Sequence, residues 1–148
     1  MRSLTAESET DRKRRILVYY DGSAESTRAL DRVVEIASVV PSEVIVVSVA
    51  EPLYPAAPYT GYADPMEEER HRRLLENASR SLAAHGIAAE VVEPTGKTVD
   101  EILDTARERQ VELIVVGSRQ RKLVQHLLFD SLADELVAEA AADVLVVR

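Results

Sequence analysis

The last quarter of the chain, residues 111–148, reads VELIVVGSRQRKLVQHLLFDSLADELVAEAAADVLVVR and predicts the fold class. Its continuous aliphatic run, Leu113–Val116, is typical of a strand that is covered on both faces of a parallel sheet. Gly117 follows at once, where a chain that leaves the sheet needs backbone freedom. Ser131 and Asp134 have the spacing of a capping box, which predicts the start of a helix. The stretch therefore predicts a strand, a glycine turn, a loop, a helix and a closing strand.

The predicted helix has an apolar stripe at helical spacing, formed by Leu132, Leu136, Val137 and Ala140. Its N-terminus and Gly117 are both expected at the carboxyl ends of the strands, where open α/β sheets bind their ligands. Unpaired N–H groups and the positive end of the helix dipole favour anions at such a position. The pattern therefore indicates an anion site at this edge of the sheet.

The same stretch resembles the signature of the universal stress protein family: glycine, two residues, glycine, nine residues, glycine, then serine or threonine. Gly117 matches the first glycine and Ser131 the final hydroxyl residue, with the family's spacing. Gln120 stands at the second glycine and Asp130 at the third, so half of the motif's chemistry is missing. The resemblance extends over residues 15–148. It implies a Rossmann-like, open five-stranded parallel sheet of order 3-2-1-4-5 with helices on both faces.

The rest of the chain continues the alternation of strands and helices. Apolar runs predict strands at residues 16–20, 43–50 and 87–92. Helical periodicity with start and stop signals predicts helices between Ser23 and Pro41, from Pro65 to about His85, and after a capping box of Thr98 and Glu101. Such alternation requires right-handed crossovers and a parallel sheet, so the residues alone indicate an α/β fold. The strand order comes from the resemblance.

Composition excludes several classes of function. The chain has 148 residues and a formal net charge of −8, which argues against a general binder of nucleic acid or of anionic membranes. It has no cysteine, which excludes disulfides and thiolate chemistry. No stretch has the length of a membrane span or the apolar core of a signal peptide, so a cytoplasmic location is expected. Residues 1–14 are expected to form a flexible polar flank before one domain, residues 15–148.

The resemblance also implies a nucleotide site where the first and fourth strands diverge. Asp21 matches the acidic residue that contacts the ribose, and the backbone of Val49 matches the strand end that contacts adenine. The matched set is Asp21, Val49, Val116, Gly117, Gln120, Asp130, Ser131 and Leu132. Two alternatives stay open, because Asp21 could simply accept hydrogen bonds from turn amides and Val49 could be an ordinary core residue.

Two functions follow from this resemblance. In the first, the protein is a small dimeric stress-response protein without tight ATP binding, because Gln120 restricts the loop and the carboxylate of Asp130 repels phosphate. In the second, ATP, with magnesium, binds at the strand divergence and is at most hydrolysed slowly. A conventional enzyme is disfavoured, since the sequence has no constellation of nucleophile, base and metal ligands. No metal site is expected.

A homodimer is expected through the C-terminal strand. Its residues are almost purely apolar: Val144, Leu145, Val146 and Val147. The resemblance places this strand at a sheet edge, and unpaired apolar edges seek partners. A further protein partner is expected but not identified. Residues 51–65, with four prolines and three tyrosines, form either a lid or contact surface or a plain surface loop.

Two motifs are interpreted as structural. The string PTGKT, residues 94–98, lacks the first glycine of a phosphate loop, whose position is occupied by Val91, and is interpreted as a turn followed by a helix cap. His71 lies beside the apolar face of its predicted helix and is interpreted as a hydrogen-bonded structural histidine.

Overall fold

A parallel sheet with helices on both faces is formed by the alternating elements of the chain. The computed structural model describes residues 12–50, 65–118 and 131–148. Within them the strands are β1 (Arg14–Tyr19), β2 (Ser42–Val47), β3 (Ala89–Val92), β4 (Leu113–Gly117) and β5 (Asp143–Val147). The helices are α1 (Ala24–Val39), α2 (Pro65–Ala84), α3 (Thr98–Glu108) and α4 (Ser131–Glu139). The strand order is β3-β2-β1-β4-β5, which confirms the predicted order.

The central strand β1 sets the register of the sheet. Leu17 pairs with Ile45 of β2 on one side and with Ile114 of β4 on the other. All three side chains are at most 5% exposed, and so are those of the next residues along each strand, Val18, Val46 and Val115, which face the other side of the sheet. The interior strands are therefore covered on both faces, as their continuous apolar runs predicted.

Two apolar cores lie on opposite faces of the sheet. On one face, α1 and α2 pack against the strands; large buried members are Ile16, Val18, Leu30, Val33 and Leu82. On the other face, α3 and α4 do the same; large buried members are Leu17, Val47, Ile102, Ile114 and Leu136. The helices change face after β3. The chain therefore exits β1 toward one face of the sheet and exits β4 toward the other face.

Helix ends agree with the sequence at α1 and α2 but not at α3. Ser23 caps α1, since its Oγ accepts a hydrogen bond from the N–H of Ser26 at 3.1 Å. Gly86 ends α2 with φ of 73°, as predicted from its position. The cap of α3 is Lys97, which makes no side-chain cap bond, and Thr98 is already helical. The predicted capping box therefore began one residue late.

The apolar stripe of α4 differs from the predicted one. Ala133 and Leu136 are 4% and 0% exposed, whereas Val137 is 59% exposed. Ala133 and Leu136 lie three positions apart and define the line along which this short helix packs, and Val137 lies to the side of it. The assignment of Val137 to the buried face was wrong. The helix also begins at Ser131 itself, so Ser131 is the first helical residue and not the cap.

Three strand boundaries were also misjudged. β1 begins at Arg14, two residues before the predicted start, and β2 ends at Val47, where its pairing with β3 stops. Ile87 was assigned to β3, but its N–H donates to the carbonyl of Leu82 at 3.0 Å and so belongs to the end of α2. The start of β1 was missed because Arg14 and Arg15 are charged, whereas Val49 and Ile87 are buried although they lie outside the strands, which hydrophobicity alone does not distinguish from strand residues.

Candidate functional site at the carboxyl edge of the sheet

The carboxyl ends of β1 and β4 lie side by side where the strand order reverses. Asp21 follows β1, and Gly117 is the last residue of β4. Because the chain leaves these two strands toward opposite faces, a crevice opens between them. The sequence predicted the candidate site at this position.

Gly117 packs directly on the backbone of α1. A Cβ atom on Gly117 would lie 2.2 Å from the carbonyl oxygen of Glu25 and 2.4 Å from its carbonyl carbon. No side chain fits there without a backbone shift. The glycine is therefore explained by close packing of β4 on the first turn of α1, independently of any ligand.

Asp21 is held in the turn between β1 and α1. The N–H of Ser23 donates to its Oδ1 at 2.9 Å, and its own N–H donates to the Oγ of Ser26 at 3.2 Å. Ser26 is 3% exposed, so the turn is anchored in the core. One carboxylate oxygen thus accepts a turn amide, as the alternative interpretation proposed, and this contact fixes the orientation of the carboxylate at the crevice.

The backbone of Val49 points toward the crevice. The N–H groups of its neighbours Ser48 and Ala50 donate toward β3, to the carbonyls of Val92 at 3.1 Å and Pro94 at 3.0 Å. Alternate residues of an extended chain direct their backbone groups to opposite sides, so those of Val49 face the end of β1. Among the described residues no hydrogen bond is made to them, although Val49 is 9% exposed. Buried backbone groups normally have partners, so those of Val49 can bind a ligand or residues outside the described ranges.

The remaining matched residues are divided between the core and the part of the chain outside the described ranges. Val116 is 1% exposed and Leu132 is half-buried, and both contribute to the core under α3 and α4. Gln120 and Asp130 lie outside the described residues, and Ser131 starts the backbone of α4. The predicted effects of Gln120 and Asp130 on the phosphate loop therefore stay predictions.

The turn after β3 also belongs to this edge, and the sequence analysis did not place it there. The N–H of Gly96 donates to the carbonyl of Ala50 at 3.2 Å, and Thr95 bridges to Ala50. The turn therefore lies directly beside Val49. The interpretation of residues 94–98 as a turn, and not as a phosphate loop, rests on the missing glycine. Their position beside Val49 could not be predicted from the sequence, because the pairing joins residues more than 40 positions apart.

The histidines and acidic residues of the described ranges are the residue types that a metal site requires. His85 places Nδ1 2.8 Å from the carbonyl oxygen of Ser81 on its own helix. Among residues 12–50, 65–118 and 131–148, no group of three or more His, Cys, Asp or Glu side chains could hold a metal ion. In the same part of the chain no helix is long and apolar enough to cross a membrane.

A shallow groove of about 520 Å³ lies at the opposite, amino edge of the sheet. Arg109, after α3, holds Glu90 of β3 through Nη2 at 2.8 Å and Nε at 3.1 Å. This hydrogen bond, with the positive charge of Arg109, lowers the pKa of Glu90 despite its slight burial. Arg15 pairs with Glu43 at 3.4 Å beside it. Since these charges are paired with one another, the groove is lined by ion pairs whose charges compensate each other.

Three arginines at the start of β1 and just before it are paired at the same edge of the sheet: Arg12, Arg14 and Arg15. Arg12 contacts the carboxylate of Glu112, and Arg14 lies 3.7 Å from it. Arg15 donates to the side chain of Gln110 at 3.0 Å.

Comparison with known proteins agrees with this geometry. The family model described as the universal stress protein family matches residues 13–148. The chain belongs to the universal stress protein family. Universal stress protein YxiE of Bacillus subtilis is 31% identical over 145 residues, with 90% of this chain and 98% of that protein covered.

Two solved universal stress proteins carry adenine nucleotides. One, in complex with cAMP, superposes with a TM-score of 0.71 at 25% identity and covers 91% of this chain and 96% of its own. The other, from Arabidopsis thaliana with AMP bound, has a TM-score of 0.66 at 18% identity and covers 90% of each chain. The second supports the fold alone.

Proposed function

We propose that this universal stress protein is a dimeric regulator that keeps the adenosine half of the family's nucleotide site and has lost tight ATP binding. The observation that carries the proposal is the orientation of the Val49 backbone toward the crevice. Adenine presents donors and acceptors along one edge, which complements a backbone N–H and C=O pair. Asp21 follows β1 at the crevice, and the Ser23 amide orients its carboxylate. A ribose hydroxyl could donate a hydrogen bond to this carboxylate.

The phosphate half of the site is the altered half. Gln120 adds a side chain where the family has glycine, and Asp130 adds a negative charge next to the start of α4. A carboxylate 4 Å from phosphate repels each unit charge by about 1 kcal/mol in water and by about 4 kcal/mol at an effective dielectric of 20. The penalty grows with the number of phosphate charges. ATP is therefore penalised more than AMP or cAMP, the ligands carried by the two solved relatives.

Dimerisation is proposed through β5. In the single chain Val144, Leu145 and Val146 are only half-buried, although β5 carries no charge between Asp143 and Arg148. The other sheet edge, β3, carries Glu90 with its Arg109 partner, and charged side chains on an edge discourage strand pairing. A regulatory role through a protein partner and a location in the cytoplasm stay predictions.

Calorimetric titration of the full chain with AMP, cAMP, and ATP with magnesium tests the nucleotide proposal. We expect AMP or cAMP to bind more tightly than ATP. Asp21→Asn keeps an oxygen for the Ser23 amide but removes the charge, and should lower the affinity for AMP about tenfold. Asp31→Asn, an exposed position on α1, serves as the matched control. Tight ATP binding would favour the second function, in which ATP binds with magnesium at the strand divergence, and absence of binding by all three ligands would exclude an intact adenosine half.

A further inference from the structure

Helix α2 contacts the carboxyl edge through Leu74. A Cβ atom on Gly22 would lie 2.5 Å from Cδ2 of Leu74, so the leucine occupies the space beside the glycine. Gly22 has φ of 82°, which holds the turn that carries Asp21. A displacement of α2 therefore changes the packing of this turn.

His71 lies on the same face of α2, three residues before Leu74. Its Nε2 is 3.1 Å from Oε1 of Glu93, which follows β3. The distance is that of an ion pair, yet the buried Nε2 atom makes no hydrogen bond with acceptable geometry among the described residues. An imidazole nitrogen without a proton presents a lone pair to the carboxylate, whereas a protonated ring carries a positive charge that attracts the carboxylate. The contact is thus favourable only when the ring is charged.

We propose that the His71–Glu93 contact is a proton-dependent latch that holds α2, and with it Leu74, against the turn of Gly22. When His71 is charged, the ion pair joins α2 to the end of β3. When the ring is neutral and Nε2 lacks a proton, the pair is lost and Leu74 packs less firmly on the turn. The latch does not depend on nucleotide binding at the crevice.

Among the described side chains, Glu93 is the charged partner of His71. The strands that pack against α2 present apolar side chains on that face: Val44, Val46 and Ala89, with Val91 partly exposed beside them. In the described part of the chain, two further carboxylates belong to adjoining segments, Asp21 in the turn covered by Leu74 and Glu68 one turn earlier on α2. Glu68 is exposed, and Asp21 is held by the Ser23 amide. Histidine changes charge between pH 5 and 8, above the range in which carboxylates normally titrate.

A pH titration of the full chain by NMR, from pH 5 to 8, tests the latch. The readouts are the ring protons of His71 and the amide of Gly22. We expect the Gly22 amide to shift with the same midpoint as the His71 ring. Different midpoints, or a Gly22 amide that does not move, would overturn the proposal without any variant.

Variants identify the groups responsible. In His71→Gln the transition of the Gly22 amide should disappear, and in His85→Gln, the matched control near the end of α2, it should be unchanged. In Glu93→Gln the His71 ring should still titrate, while the amplitude at Gly22 falls at least twofold. A transition at Gly22 that persists in His71→Gln, or an amplitude unchanged in Glu93→Gln, would assign the response to another group.

Discussion

Gly117 and Glu25 are in backbone contact across the interface between the sheet and its first helix. A methyl group on Gly117 would lie 2.2 Å from the Glu25 carbonyl oxygen. Backbone atoms cannot move aside as a flexible side chain does, so Gly117→Ala should cost roughly 3 kcal/mol of unfolding free energy, the upper range of overpacking effects. Urea unfolding measures this cost.

Gly86→Ala is the matched control for Gly117→Ala. Nothing lies within 4 Å of a Cβ at Gly86, but its φ of 73° is unfavourable for alanine. It should cost only about 1 kcal/mol. Equal losses in the two variants would show that contact with Glu25 does not restrict Gly117.

The pair Arg109–Glu90 should make a small, pH-dependent contribution to stability. The pKa of Glu90 is lowered, first by the hydrogen bond from Arg109, so its ionised form is stabilised in the folded protein. The contribution is fully present above the ordinary glutamate range, about pH 4.3, and is lost as pH falls through the lowered pKa. Because both side chains are substantially exposed, salt should weaken it further.

Unfolding of Glu90→Gln between pH 3 and 7 checks this prediction. The variant should be less stable than the parent at pH 7 and equal to it at the acid end. Glu68→Gln, an exposed position on α2, should follow the parent throughout. A deficit in Glu90→Gln that is the same at both ends of the range would contradict the ionic origin.

Restoring the glycines of the phosphate loop should restore ATP binding. Gln120→Gly gives the loop freedom to close, and Asp130→Gly removes a charge that competes with phosphate for the amides at the start of α4. The double variant should bind ATP at least tenfold more tightly than the native chain. Each single variant should increase the affinity less. The gain in the double variant should exceed the sum of the two single gains, because both changes act on one loop. Calorimetry on all four proteins measures the coupling, and strictly additive effects would argue against a shared loop.

Dimerisation should depend on β5 and not on β3. Val144→Lys places a charge on the apolar edge and should give monomers in sedimentation. Val91→Lys places the same charge on the opposite edge strand, where Val91 is already 38% exposed, and should leave the dimer intact. Loss of the dimer in Val91→Lys alone would place the interface at β3.

The sequence predicts the strands and their order well, because burial on both faces leaves continuous apolar runs and the family signature adds the topology. It fails at features set by contacts distant in the chain. Ile87 is apolar like a strand residue, yet its hydrogen bond to Leu82 makes it part of a helix end.

The same distinction between local sequence patterns and distant contacts applies to the candidate site. The positions of Asp21 and Gly117 at this edge could be predicted because each follows an apolar run, whereas their assignment to a nucleotide site came from the family resemblance. The proximity of Thr95 to Ala50, the packing of Leu74 on Gly22 and the contact of His71 with Glu93 leave no pattern in the sequence. Each of them depends on how the helices dock.

The charged pair on β3 has a consequence for the size of the assembly. If two chains join through β5 about a twofold axis, the sheet continues from one chain into the next, and both of its outer strands are then β3. Each outer strand carries Glu90 with its Arg109 partner. Addition of a further chain would oppose like charges or break these pairs, so we expect growth to stop at two chains and not to proceed to a filament.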